Sequence, residues 1–303
     1  MIGQSPVQTS SRSERIRSTV ALLSRRGFAV SPARLAEICV GGPVTEADVR
    51  WAVAASPDLD IAHDLVLARS DRSRARAIRA RAADHDSDAP PYLDMTVGFV
   101  RTLVRLAPFI RSVSIAGSLA SGGFRASDDV DLNLIVDDGR RHLAYVAVNV
   151  LGLIHALRHR SKPVDDLTRR PLAPRLMTAN LILERSQCHP LARQDEDMAF
   201  ELLMSRPVFG AGVLGEVLGA NLGLLDHFPQ LADLSGEASP APTSSHLPSW
   251  LFPTALDGAA RLLGRAAWRY MQWTRRDKPE ALARVAYVRA TMRPYTLFDE
   301  PDT

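Results

Sequence analysis

The sequence predicts an α+β fold, a small sheet packed with helices, with one helical unit in front of it and another behind. Three observations predict it. Apolar residues alternate with period two in short runs around Val113 and Ile115, over 129–136 and over 176–183. They recur at helical spacing between these runs and on either side of them. Stretches rich in Pro, Ser and Asp interrupt the pattern near 88–91 and 235–249, dividing the chain into 1–90, 91–234 and 235–303.

The chain has 303 residues, 46% hydrophobic and 23% charged, which is enough apolar material for a core in about two domains. Its net charge of +3 is too small to argue for a nucleic-acid partner. Lys occurs only at 162 and 278, so nearly all of the 37 basic residues are Arg, a skew attributed to the base composition of the coding DNA. Cys39 and Cys188 stand in no metal-ligand spacing and fit a reducing, cytoplasmic compartment. The first residues carry no apolar segment of the kind a secretory signal needs. No apolar run reaches the ~18 residues of a membrane span, so no membrane partner is expected.

Each element has a local reason. A first helix is expected over 13–24. Ser31-Pro32 offers a cap followed by proline at the first helical position, and Gly41 is the expected stop. Thr45-Glu46-Ala47-Asp48 reads as a capping box, with Asp48 in the Glu/Gln place. "DLDIAHDLVLARS" alternates around His63-Asp64 as a hairpin would. Three helices and a hairpin suggest a winged-helix-like unit, serving either DNA binding or packing. Glu46 and Asp48 on the third helix would repel phosphate, which favours packing. The Arg run at 72, 74, 76, 79 and 81 reads as the solvated face of a connecting helix, and Asp88-Ala89-Pro90-Pro91 as a break.

Beyond the break, Val97, Val100, Leu103, Val104 and Leu106 predict a helix that Pro108 ends. A strand around Val113 and Ile115, a glycine-rich turn and a strand over 129–136 follow. Asp137-Asp138 is the expected cap of a long apolar helix over 140–160. A strand over 176–183, helices over 195–205 and 213–224, an exposed linker over 235–249 and a helical segment over 254–292 complete the chain.

The chemistry concentrates in "SIAGSLASGGFRASDDVDLNLIV", residues 114–136. On the second strand Val130, Leu132, Leu134 and Val136 point one way, and Asp129, Asp131 and Asn133 the other. Two carboxylates about 6.6 Å apart along one face are costly to bury alone. They can share Mg²⁺, which takes a few carboxylates together with phosphate oxygens and water. Gly117 lets backbone approach a ligand closely, and Ser118 offers a hydroxyl and an N–H to phosphate. Asp128 reads as a turn residue. His142, His155 and His159 share one helix, but no further ligand accompanies the last two.

This stretch resembles the signature of nucleotidyltransferases related to DNA polymerase beta. Gly117-Ser118, Gly122 and Asp129-Val130-Asp131 stand at its spacing. The chain is also similar to a bacterial group of such proteins with a winged-helix-like unit in front. Thr178-Ala179-Asn180 stands where that group reads Cys-Pro-Asn. "DMAFELLMSRPVFG" and "ANLGLLDHFPQ" look like its helical segment and its closing Asn-x-Trp…Pro-Asn, with Gly223 and Gln230 as departures.

The resemblance implies a polymerase beta-like mixed sheet and Mg²⁺-dependent transfer of a nucleoside monophosphate from a nucleoside triphosphate to an acceptor hydroxyl, with Mn²⁺ as an alternative metal. A small molecule is the expected acceptor. Asp129 and Asp131 would be catalytic and hold the metal. Gly117, Ser118 and Asn180 would hold the nucleotide, and Glu184 is the candidate third metal carboxylate; Arg125 is a further nucleotide candidate from its own place in the turn. The alternative is a non-catalytic, nucleotide-sensing regulator that binds DNA through its front unit.

Overall fold

The computed structural model describes residues 11–159, 162–163, 176–234 and 247–298. Most of the expected 235–249 linker lies outside them. The fold is mixed α and β with a mixed sheet.

The front unit forms for the local reasons its sequence gives. Helix α1, Arg12–Arg25, starts at a reciprocal cap between Ser11 and Glu14. Helix α2, Pro32–Glu37, is capped by the Ser31 hydroxyl. It ends at Ile38, before the expected stop, and the Gly41 N–H instead donates to the His227 carbonyl at 2.6 Å. Helix α3, Glu46–Ala55, opens on the Thr45–Asp48 box. Strands β1, Leu59–Ala62, and β2, Leu65–Ala68, form the hairpin. Its two turn residues, His63 and Asp64, both take positive φ, 53° and 61°, as the favoured two-residue hairpin turn demands.

Helix α4, Ala75–Leu106, overturns the expected break, because it runs unbroken through Pro90 and Pro91. Each proline removes one helical N–H donor. Those N–H groups would have met the carbonyls of Asp86 and Ser87, both exposed, where water can serve instead. The expected boundary at residue 90 therefore falls inside a helix.

Strand β3, Ile110–Ala116, leads through the short helix α5, Gly117–Ser121, to β4, Val130–Val136, one residue shorter than expected. Helix α6, Arg141–Arg158, returns the chain to β5, Met177–Glu184. Then follow α7, Glu196–Met204, and β6, Arg206–Phe209, a strand the sequence reading did not contain. The chain continues as α8, Ala211–Ala220, α9, Gly223–His227, α10, Leu231–Leu234, α11, Ala255–Arg275, and α12, Pro279–Met292. The last segment is two helices, the second beginning on Pro279, where a missing N–H costs nothing.

The sheet order is β5-β4-β3-β6, with β4 and β5 parallel and the other pairs antiparallel. On one face Val113, Ile115, Leu132 and Leu134 pack with Phe99 and Leu103 of α4 and Val148 of α6. On the other, Ile135, Leu181 and Leu183 join α7, α8 and the core of the front unit, including Ile16, Leu22, Leu35 and Val49, in one cluster. The front unit thus shares its core with the helices that cover the sheet.

The cap of α6 also differs from expectation. Asp137 is held bidentately by Arg111 at 2.7 and 2.6 Å, and Asp138 accepts from the Ser186 N–H at 2.9 Å. The cap comes instead from Asp257 of α11, which accepts from the Leu143 N–H at 2.8 Å and bonds the His142 ring at 2.7 Å. Burial pushes the Asp257 pKa up, but the His142 ring and the two helix N–H groups outweigh it and hold the carboxyl below its usual range. Asp257→Ala removes this cap, and we expect a loss of about 1–2 kcal/mol of unfolding free energy at neutral pH by urea titration. Because the folded pKa is depressed, the stabilisation is present above the ordinary aspartate pKa and is lost as pH falls through the depressed value.

Candidate active site

Strands β3 and β4 bring the glycine turn to the acidic strand. Ala116, the last residue of β3, pairs opposite Asp131. Gly117 then takes φ +61°, and a Cβ built on it would lie 2.2 Å from Asp131 Oδ2. Both the conformation and the contact demand glycine. Gly122 closes α5 at φ +93°, and the N–H groups of Gly122 and Gly123 donate to the Ser118 carbonyl at 3.2 and 3.0 Å. Asp129 immediately precedes β4 and Asp131 is its second residue. Both are partly exposed, whereas Val130 and Leu132 are fully buried on the opposite face. Asp131 Oδ1 accepts from the Thr178 hydroxyl of β5 at 2.9 Å.

The loop joining the turn to β4 is laced to one stripe of α4. Arg81 donates to the Gly123 carbonyl and to Asp128. Asp84 accepts from Arg125 Nε at 2.8 Å, His85 Nδ1 from the Phe124 N–H at 3.1 Å, and Asp88 from the Ala126 N–H at 2.8 Å. The Tyr92 hydroxyl donates to the Ala126 carbonyl at 3.1 Å. Positions 81, 84, 85, 88 and 92 share one helical face. Burial lowers the pKa of His85, which keeps Nδ1 available as an acceptor.

Asp128 is the turn residue expected. It accepts from the Ser118 hydroxyl and the Arg125 N–H, each at 3.2 Å, as well as from Arg81. Arg81 is therefore a tether of the loop, not part of a solvated face. Arg125, a candidate nucleotide ligand, directs its side chain to α4.

A second polar group lies one step further along the same face. The β4–β5 register shifts between Leu132 and Asn133, leaving Asn180 as the extra residue of a bulge. Asn180 donates to Asn133 Oδ1 at 3.0 Å and to Glu201 Oε1 at 2.9 Å, and Asn133 donates to the same Glu201 oxygen at 3.2 Å. Burial raises the Glu201 pKa, and the two amides and nearby Arg26 offset it only in part. Asn180 is thus committed to a carboxyl on α7. Glu201, Thr178 and Arg81 were missed as site residues. Asn133 was visible as the third member of the polar strand face, while Glu201 carries no local signal.

Glu184 does not join the aspartates. It pairs with Val136 at the far end of the strands from the Asp131–Thr178 pair, and its carboxylate accepts from the Gly139 N–H at 3.0 Å. Among the described residues no group of three or more His, Cys, Asp and Glu side chains could hold a metal. The expected third carboxylate at Glu184 is corrected on this register. His155 and His159 lie ring to ring at 5.1 Å, with burial and the second His lowering the pKa of the first. Burial pushes the Cys188 thiol up to about 12, which makes it inert near neutral pH.

The closing segment is structural. Buried Asn221 donates to the Cys188 and Val217 carbonyls and accepts from the Leu191 N–H, each at 2.7 Å. Gln230 donates to the Glu37 and Cys39 carbonyls at 2.9 and 3.0 Å, tying this segment to the front unit. A side chain at Gly223 would meet Gln194 Oε1, 2.8 Å from the Cβ position.

No protein-family model matches the chain, and no curated protein or solved structure matches it either.

Two paired measurements test this geometry. Gly117→Ala should cost more stability than Gly122→Ala in urea titration. Both bear the left-handed penalty of roughly 1–2 kcal/mol, but only at Gly117 does the added carbon strike a neighbour, Gly122 having nothing within 4 Å. Glu201, with its folded pKa raised, contributes stability that is complete below the ordinary glutamate pKa of about 4.3 and is lost as pH rises through the raised value. Glu201→Gln keeps the acceptor oxygen without the charge. Its stability should fall less than the parent's between acid and neutral pH, as read by unfolding midpoints across that range.

Proposed function

We propose that the protein is a metal-dependent nucleotidyltransferase, moving a nucleoside monophosphate from a nucleoside triphosphate to an acceptor hydroxyl, most simply of a small molecule, with release of pyrophosphate. One observation carries the reading: the Gly117-Ser118 turn lies directly against Asp131, the residue that with Asp129 forms the acidic end of β4. A phosphate-binding turn beside two partly exposed carboxylates is the donor set that a hard cation and a triphosphate complete. Free, buried Cys39 and Cys188 fit a reducing, cytoplasmic setting.

Asp129 and Asp131 are hard oxygen donors that fit Mg²⁺, or Mn²⁺ in its place, with phosphate and water filling the other positions. Bound there, the metal would lower the pKa of the acceptor hydroxyl and offset charge on the departing pyrophosphate. The protein's own groups do the rest. Ser118 turns its hydroxyl from Asp128 to a phosphate oxygen. Asp128 keeps the Arg81 guanidinium and the Arg125 N–H, so its charge stays compensated beside the incoming anion. The acceptor oxygen then bonds to the α-phosphorus as the bond to the bridging oxygen breaks, and the hydroxyl proton leaves to water. Thr178 fixes the rotamer of Asp131 for this step. Arg125 and Asn180 have partners within the chain, and the reading does not rest on them.

The DNA-binding alternative gains nothing from α3, where Arg50 is held by Glu46 at 2.8 and 2.6 Å.

Transfer of label from α-labelled triphosphates to lysate, separated into protein, nucleic-acid and small-molecule fractions, tests the proposal. Asp129→Asn with Asp131→Asn should abolish Mg²⁺-dependent transfer, and Ser118→Ala should reduce it by roughly tenfold, the scale of one lost hydrogen bond to a charged group. Undiminished transfer by the double variant would refute the assignment.

A further inference from the structure

Helix α11 has two apolar faces, and among the described residues only one of them is packed against the protein. Ala260, Gly264, Trp268 and Met271 turn towards the body of the protein. Gly264 lies against Tyr145 of α6 and Phe298, and Trp268 and Met271 pack on the core of the sheet. The opposite face carries Ala259, Leu262, Leu263, Ala266, Tyr270 and Trp273, at the spacing of a continuous helical stripe. It is open: Leu262 is 71% exposed, Leu263 58%, Trp273 56% and Tyr270 41%. Apolar side chains so displayed, in one row and on a ridge, are not the scattered exposure of an ordinary surface.

The flanks of the stripe are basic. Arg261, Arg265 and Arg269 run along one edge at four-residue intervals, and Arg276 lies over the Trp273 ring at 4.7 Å. Tyr270 also stacks with that tryptophan, with centroids 6.0 Å apart. From 258 to 278 the sequence carries six Arg and Lys against a single acid, Asp277. That is a local charge of +5 in a chain whose total is +3.

We propose that the outward face of α11 seats the protein on an anionic lipid surface, with the helix lying in the plane of the headgroups. Leucine and aromatic side chains on one face, with arginines beside them, match the chemistry of that boundary. The rings sit at headgroup depth, the leucines reach the acyl chains, and the guanidinium groups meet lipid phosphates. A nucleic-acid surface would take the arginines but leave Leu262 and Leu263 in water. A second copy docked antiparallel through the same face, across a two-fold axis perpendicular to the helix, would bring the two arginine rows near each other, which is repulsive. The proposal concerns attachment, not insertion, and among the described residues no helix is long and apolar enough to cross a membrane.

Co-sedimentation of the full chain with vesicles tests it. Vesicles of phosphatidylcholine and phosphatidylglycerol at about two to one should carry the protein down, and pure phosphatidylcholine should not. Leu262→Gln with Trp273→Gln, and separately Arg261→Gln with Arg265→Gln, should each lower the partition at least about tenfold. The far-ultraviolet circular dichroism and melting temperature should be unchanged, since these side chains are exposed or at the surface edge. Added salt should weaken parent binding and scarcely affect what remains in the arginine variant. Failure to sediment with either vesicle would overturn the proposal, as would equal binding to both. So would a dimer in analytical ultracentrifugation that the Leu262→Gln, Trp273→Gln variant dissociates, because that would give the face to a second copy.

Discussion

The close approach of Gly117 to Asp131 is the constraint on which the candidate site turns. A strand that ends against its antiparallel partner normally leaves by a turn that swings clear of it. Here the chain turns within contact distance of the neighbouring carboxylate, which a Cβ at that point would forbid. The left-handed φ of Gly117 sets the direction in which α5 departs, and with it the place of Ser118. The pairing of Ala116 with Asp131 sets the height at which this happens. A one-residue slip would put Val130 in the contact and turn both aspartates into the core under α4, where nothing would compensate them. The apolar set of β4 therefore fixes the register, and the register fixes the site.

Holding such an approach requires the rest of the loop to stay in place, and α4 does that. Five side chains on one helical stripe receive the loop through its backbone and through Arg125 and Asp128. Hydrogen bonds to charged groups contribute about 1.5–3 kcal/mol where water is partly excluded, so the Arg81–Asp128 tie counts for more than the exposed Arg125–Asp84 pair. The same ties explain why α4 survives two prolines, since its middle is bound from the side by the loop. The front unit has a comparable relation to the other face of the sheet. Its core is continuous with that of α7 and α8, and Arg26, at the end of α1, lies over the Phe200 ring at 4.8 Å and pairs with Asp197 at 2.9 Å. The positive charge that helps offset the burial of Glu201 thus comes from the front unit. That is a structural role for a module whose outline alone suggests nucleic acid.

What the sequence discloses here is whatever depends on neighbours in the chain. The Thr45–Asp48 box, the His63-Asp64 turn and the alternation of β4 are local, and each appears where its residues put it. The glycine, the serine and the two aspartates could be named because turn and strand chemistry is written in short segments. What stayed hidden depends on partners far away. Asp257 caps a helix more than a hundred residues before it, so the nearer Asp137 and Asp138 looked sufficient until Arg111 and Ser186 proved to hold them. Strand β6 has four residues and contains Pro207, and it exists because an edge position tolerates a proline against β3. Glu184 looked close to the aspartates because it ends a neighbouring strand, but parallel pairing puts the end of β5 beside the end of β4, away from Asp131.

The placing of Asp128 beside Ser118 bears on how such a site could stay intact without ligand and still accept one. On the proposed function Ser118 serves a phosphate, and a nearby carboxylate is at first sight the wrong neighbour for a triphosphate. Asp128 is not a bare charge, however. Arg81 faces it, the Arg125 N–H donates to it, and both belong to the clamp that holds the loop. When the Ser118 hydroxyl rotates away, the carboxylate keeps two of its three donors. On that reading the hydroxyl would exchange one anionic acceptor for another by rotation of its own side chain. The arrangement holds the serine in a defined rotamer through a carboxylate that Arg81 and the Arg125 N–H already compensate. Asp128 thus belongs to the clamp on α4, whereas Asp131 is held by Thr178 of the neighbouring strand, so acids three residues apart take different parts.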